Sequence, residues 1–125
     1  MRRPSLDLAV AINRAVREHD EWFDEPDELD RVQRALAAID AIDEPVEAAA
    51  LLACRVARAQ GFTEGNKRTG LLLALWVLDR NGVKGTALLP PDDRQFAELL
   101  VKAASGLDVE DQAVALLDRR RSTSG

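Results

Sequence analysis

The sequence predicts an all-α fold, a compact bundle of about six helices, on three observations. Apolar residues recur at helical three- and four-residue spacing along most of the chain. Alternating strand patterns are nearly missing, with Val83–Leu88 the only candidate. Two segments, Ala48–Cys54 and Leu71–Leu78, are apolar all round, the pattern of central helices buried on most sides.

The first helix is expected from Ser5 to about Asp20, with Leu8, Ile12 and Val16 on its apolar stripe. An acidic turn, Glu21–Pro26, comes next, and Pro26 suits the first turn of a second helix carrying Leu29, Val32, Leu36 and Ile39. Asp40–Glu44 is a polar link. Pro45 opens the third helix, which ends near Ala59. A loop with two glycines, Gly61 and Gly65, leads to the fourth helix, which begins around Arg68 and closes at Asn81-Gly82. Leu88-Leu89-Pro90-Pro91 is a rigid connector. Asp92 or Asp93 caps a fifth helix through Ala104, and Asp108 caps a sixth ending near Arg119. Residues 1–121 are expected to form a single domain, and 122–125 a disordered tail.

Bulk composition removes several function classes. Of the 125 residues 46% are hydrophobic, enough for a real core, while the net charge of −5 works against a nucleic-acid-binding surface. Arg119–Arg121 is the only basic run, and the macrodipole favours it at a helix end. One cysteine, Cys54, and one histidine, His19, leave no intrachain disulfide and no Cys/His zinc site. Cys54 reads as a core residue, Trp76 likewise, and His19 as an exposed or capping residue. Trp22 and Phe23 read as lids on the core edge. The run Leu71–Leu78 falls well short of the roughly 20 residues that span a membrane. A soluble protein that stays inside the cell is expected.

The chemistry concentrates in Gln60-Gly61-Phe62-Thr63-Glu64-Gly65-Asn66-Lys67-Arg68. Gly65-Asn66 permits backbone angles that turn successive N–H groups into an anion-holding nest. The helix that begins there adds its orphaned N–H groups and positive dipole end. Lys67 and Arg68 supply point and bidentate charge for phosphate oxygens. Glu64 beside phosphate calls for an intervening cation, and Mg²⁺ between carboxylate and phosphate is the usual arrangement. The same residues also fit an ordinary turn in which Glu64 pairs with Lys67 or Arg68.

Phe62–Arg68 resembles the signature His-x-Phe-x-(Asp/Glu)-(Gly/Ala)-Asn-(Gly/Lys)-Arg of Fic and Doc proteins, and Asp79–Val83 looks like Doc toxins in particular. The resemblance implies that Phe62 anchors the loop and Glu64 holds Mg²⁺. It implies that Gly65 and Asn66 shape the nest while Lys67 and Arg68 grip the phosphates of ATP or another nucleoside triphosphate. Arg68 and position 60 are the implied catalytic positions. Lys67, where AMP-transferring relatives carry Gly, implies transfer of phosphate to a protein threonine, in Doc that of elongation factor Tu. The resemblance further implies a bacterial cytoplasmic toxin, with a separate antitoxin and a protein acceptor as partners. The self-inhibitory Ser/Thr-x-x-x-Glu-(Gly/Asn) element has no counterpart, because Glu64 is the only Glu followed by Gly or Asn.

Gln60 stands where the signature has its histidine. A neutral amide cannot take the hydroxyl proton, and loss of a general base costs about 10²–10⁴-fold in rate. Positioning and electrostatics dominate phosphoryl transfer, so the site retains part of its means. The alternative function is a catalytically inactive nucleotide-binding or protein-interaction module.

Overall fold

A computed structural model describes residues 1–17 and 26–124, which form seven helices and no strand. Two helices make the centre: α3 (Pro45–Ala59) and α4 (Asn66–Arg80). Alanines and small aliphatics give α3 a thin profile, with Ala48, Ala49, Ala50, Leu52, Ala53 and Ala57 all fully buried. Glu44 caps it through Glu47 N at 2.6 Å, and Pro45 occupies the first turn. At Gly70 of α4 the two axes approach so closely that a Cβ would lie 2.7 Å from the Ala53 carbonyl oxygen. Only glycine admits that crossing.

Around this pair pack α1 (Leu6–Val16), α2 (Leu29–Ala37), the single turn α5 (Gly85–Leu88), α6 (Arg94–Ala104) and α7 (Glu110–Ser124). α1 lies on α4, α2 on α3, and α6 and α7 cover the remaining face of α3. Ser5 caps α1 through Leu8 N at 3.1 Å, and Asp93 caps α6 through Gln95 N at 3.2 Å. No helix among the described residues is long and apolar enough to cross a membrane.

Several expectations change. α1 closes at Val16 with an extended Arg17, and the expected continuation over 18–20 lies outside the described residues, as do His19, Trp22 and Phe23. α2 starts at Leu29 and not at Pro26, because Asp27 and Glu28 are engaged by the loop after α3. α4 begins two residues early, at Asn66. It is not buried all round, since Leu72 is 38% exposed. Trp76 is half-buried and not core, with the Arg80 guanidinium 5.8 Å from its ring centroid. Val83–Leu88 contains a helical turn and no strand, because Gly85 N donates to Asp79 Oδ1 at 2.8 Å and Leu89 N to Gly85 O at 2.8 Å. α7 continues to Ser124, past the Arg121 boundary drawn from sequence.

Candidate functional site

α3 ends at Ala59, and Gln60 turns the chain out of it in the left-handed conformation, φ 50° and ψ 41°. Non-glycine residues adopt that region rarely, so the turn depends on the anchoring of Phe62 and Asn66 to hold it. Phe62 is buried as an anchor. Asn66 clamps the Phe62 peptide from both sides: its Oδ1 accepts from Phe62 N at 3.0 Å, and its Nδ2 donates to Phe62 O at 2.9 Å. The Asn66 amide is therefore committed to the loop's own backbone.

Besides Glu28, whose N–H donates to the Gly61 carbonyl at 2.7 Å, three side chains outside the loop brace it among the described residues. Asn13, fully buried on α1, donates Nδ2 to the Glu64 carbonyl at 2.8 Å and to Thr69 Oγ1 at 3.1 Å. Its Oδ1 accepts from Arg17 Nε, and Arg17 in turn pairs with Asp27. Asp27 Oδ1 accepts from Thr63 N at 2.9 Å, while the Arg17 guanidinium stands 5.9 Å from the Phe62 ring centroid. Sequence reasoning missed this brace. Its one readable signal is Asn13 itself, a polar residue four positions after Ala9 on the stripe that α1 buries.

Gly65, at φ 77°, is the N-cap of α4 and offers no side chain to it. The orphaned first-turn N–H groups of a 15-residue helix thus open on a cup of about 270 Å³. Glu64, Gly65, Asn66, Lys67 and Arg68 line this cup with Val16. Lys67 and Arg68 also form one end of a second groove, of about 430 Å³, walled by Leu71, Leu75, Leu89, Phe96 and Leu100. The pair of cations therefore divides a polar cup from an apolar groove.

Gln60 does not line the cup. Its side chain is exposed and turns back, donating Nε2 to the Ala57 carbonyl at 2.6 Å. Among the described residues no three of His, Cys, Asp and Glu converge as a metal cage. Among the described residues Glu64 is the one carboxylate of the cup, a donor set that suits an ion carried in on phosphate oxygens. Cys54 is buried beneath α7, and burial pushes its thiol up to about 12, with Glu110 and Asp108 adding to the effect. It stays protonated and inert.

Two central helices joined by a braced loop, with a cationic cup at the start of the second, define an all-helical domain organised around one short connection. The sequence profile of the Fic/DOC family matches residues 4–78. The match takes in α1, α2, α3 and α4 as far as Leu78, more than half of the chain, which belongs to this family. No curated protein sequence matches the chain.

Proposed function

We propose that the domain is a Doc-like, nucleotide-dependent transferase, the toxin of a toxin–antitoxin pair, whose activity is lowered by Gln60. It transfers phosphate in preference to AMP, from a nucleoside triphosphate to a Ser or Thr hydroxyl of a protein. Elongation factor Tu is the candidate acceptor on the Doc resemblance. The observation that carries this reading is the placing of Lys67 and Arg68 between a polar cup and an apolar groove. A ligand with anionic and apolar ends fits such a divided site, and a nucleotide has both.

In this reading the α4 N-terminus, Lys67 and Arg68 hold the phosphates, and the apolar walls of the groove take the base. Glu64 would hold Mg²⁺, which when bound would neutralise phosphate charge. The acceptor hydroxyl oxygen forms the new bond to phosphorus, the bond to the leaving nucleotide breaks, and the hydroxyl proton leaves with solvent. Gln60 contributes orientation at most, since its amide is not basic. The braced loop keeps these groups in one geometry, which is where the catalytic benefit of positioning lies.

The second reading, an inactive nucleotide-binding module, is favoured by the Gln60 side chain lying against its own helix. Calorimetry with ATP, with and without Mg²⁺, tests both. Binding that Mg²⁺ strengthens is expected. A folded sample that binds no nucleotide at millimolar concentration sinks both readings. Label followed from γ- and α-labelled ATP into a protein acceptor separates phosphate transfer, AMP transfer and neither.

A further inference from the structure

α2 and α3 set four arginines around one cleft of about 540 Å³: Arg31 and Arg34 from α2, Arg55 and Arg58 from α3. Ala35 and Ala59 complete its lining. This gathering stands out in a chain of net charge −5. The pairs already made do not account for it. Arg31 meets Glu28 at 2.5 Å with both side chains about half exposed, and Arg34 meets Asp30 at 3.3 Å with both 71% exposed. Pairs so exposed contribute about 0–1 kcal/mol and exchange readily with outside carboxylates. Arg55 bonds Glu110 across to α7, and Arg58 makes no ion pair or hydrogen bond among the described residues.

We infer that this cleft docks an acidic, helical segment of the acceptor protein. The inference rests on the transferase reading for the identity of the partner, and on the arginines alone for its chemistry. On each helix the two arginines are three residues apart, about 4.5 Å along the axis, the spacing at which a helix presents carboxylates from one face. Guanidinium groups take carboxylates in bidentate fashion. Alanines in the lining let another backbone come close. Nucleic acid is the poorer occupant, because the acidic chain repels an extended polyanion beyond the cleft itself. Arg58 and Ala59 directly precede Gln60, so a segment bound there lies at the end of α3 from which the transfer loop departs.

The test uses the whole chain and a fluorescent helical peptide with glutamates at i, i+3 and i+4, read by anisotropy at several salt concentrations. Salt-sensitive binding is expected, weakened about tenfold or more in the double variant Arg34→Glu/Arg58→Glu. The variant should instead prefer a peptide with lysines in place of the glutamates. Arg34→Gln/Arg58→Gln should lose affinity in the same direction with an unchanged melting curve, which separates docking from misfolding. Equal binding of the glutamate peptide by parent and charge-reversed chain overturns the inference. So does tighter binding of single-stranded DNA than of the peptide. Peptide binding by a chain that binds no nucleotide leaves the docking surface standing and removes the transferase; nucleotide binding without peptide binding does the reverse.

Discussion

Asn13 Nδ2 donates to the carbonyl oxygen of Glu64 at 2.8 Å, joining residues 51 positions apart inside the protein. The same amide reaches Thr69 on the first turn of α4, so one buried side chain ties α1 to both the loop and the helix it opens. Asn13→Leu leaves the Glu64 carbonyl and the Thr69 hydroxyl without this partner. A loss of about 2–4 kcal/mol in urea unfolding is expected, from two donors lost and their acceptors left buried. Nucleotide affinity should fall as well, where a merely peripheral asparagine would leave it unchanged.

Arg68 lines both cup and groove. Arg68→Ala should weaken nucleotide binding by about 1.5–3 kcal/mol, the scale of a charge-assisted hydrogen bond. An unaltered affinity by calorimetry removes Arg68 from the phosphate site.

Leu52 and Leu72 are both leucines of the central helices, and they separate in the tertiary structure. Leu52 is fully buried, whereas Leu72 is 38% exposed. Leu52→Asp should abolish cooperative unfolding, because it buries an unpaired carboxylate. Leu72→Asp, which the sequence pattern alone would rank with it, should cost less than about 1.5 kcal/mol. Circular dichroism melts of the two variants check the contrast.

Acid stability should depend on the clamp between α6 and α7. Arg120 bonds both oxygens of Asp93, at 2.5 and 2.9 Å, and donates to the Leu88 carbonyl at 2.8 Å. The hydrogen bond from Arg120 holds the Asp93 carboxyl below its ordinary range, against the opposing effect of burial. A carboxyl lowered in the folded state adds stability that is complete above its unfolded value of about 3.9 and is lost as pH falls through the folded one. Asp93→Asn should therefore lower stability at neutral pH and flatten this part of the acid dependence, as read by unfolding curves at stepped pH.

The backbone at position 60 is already left-handed, a region where histidine is enriched over most residues. Gln60→His should thus be accommodated without moving the loop. A gain of about 10²–10⁴-fold in transfer to a protein hydroxyl is expected, together with toxicity on expression in bacteria. A histidine variant that binds nucleotide yet labels nothing in a bacterial lysate would leave the inactive-module reading.

The all-helical class, the Pro45–Ala59 helix and the position of the polar loop were legible in the linear pattern, because burial of central helices imposes composition and proline and glycine punctuate their ends. The cup residues Glu64–Arg68 were legible for the same kind of local reason: nest, helix start and cations are neighbours in sequence. Leu72, Trp76 and the turn at Gly85 were not, since neighbouring helices decide which side of an apolar segment meets solvent.

Sequence by itself determined that a polar, glycine-containing loop with glutamine at position 60 lies between two apolar helices. Only the tertiary structure decided that Gln60 turns back to Ala57, and that Asn66 is consumed in clamping Phe62. It alone brought Asn13, Arg17 and Asp27 to the loop, and four arginines of two helices to one cleft. The Gln60 and Asn66 bonds are short in sequence but hang on the side-chain rotamer. The brace and the cleft join separate helices and loops, and such partners are chosen by how the helices pack, which no local pattern records.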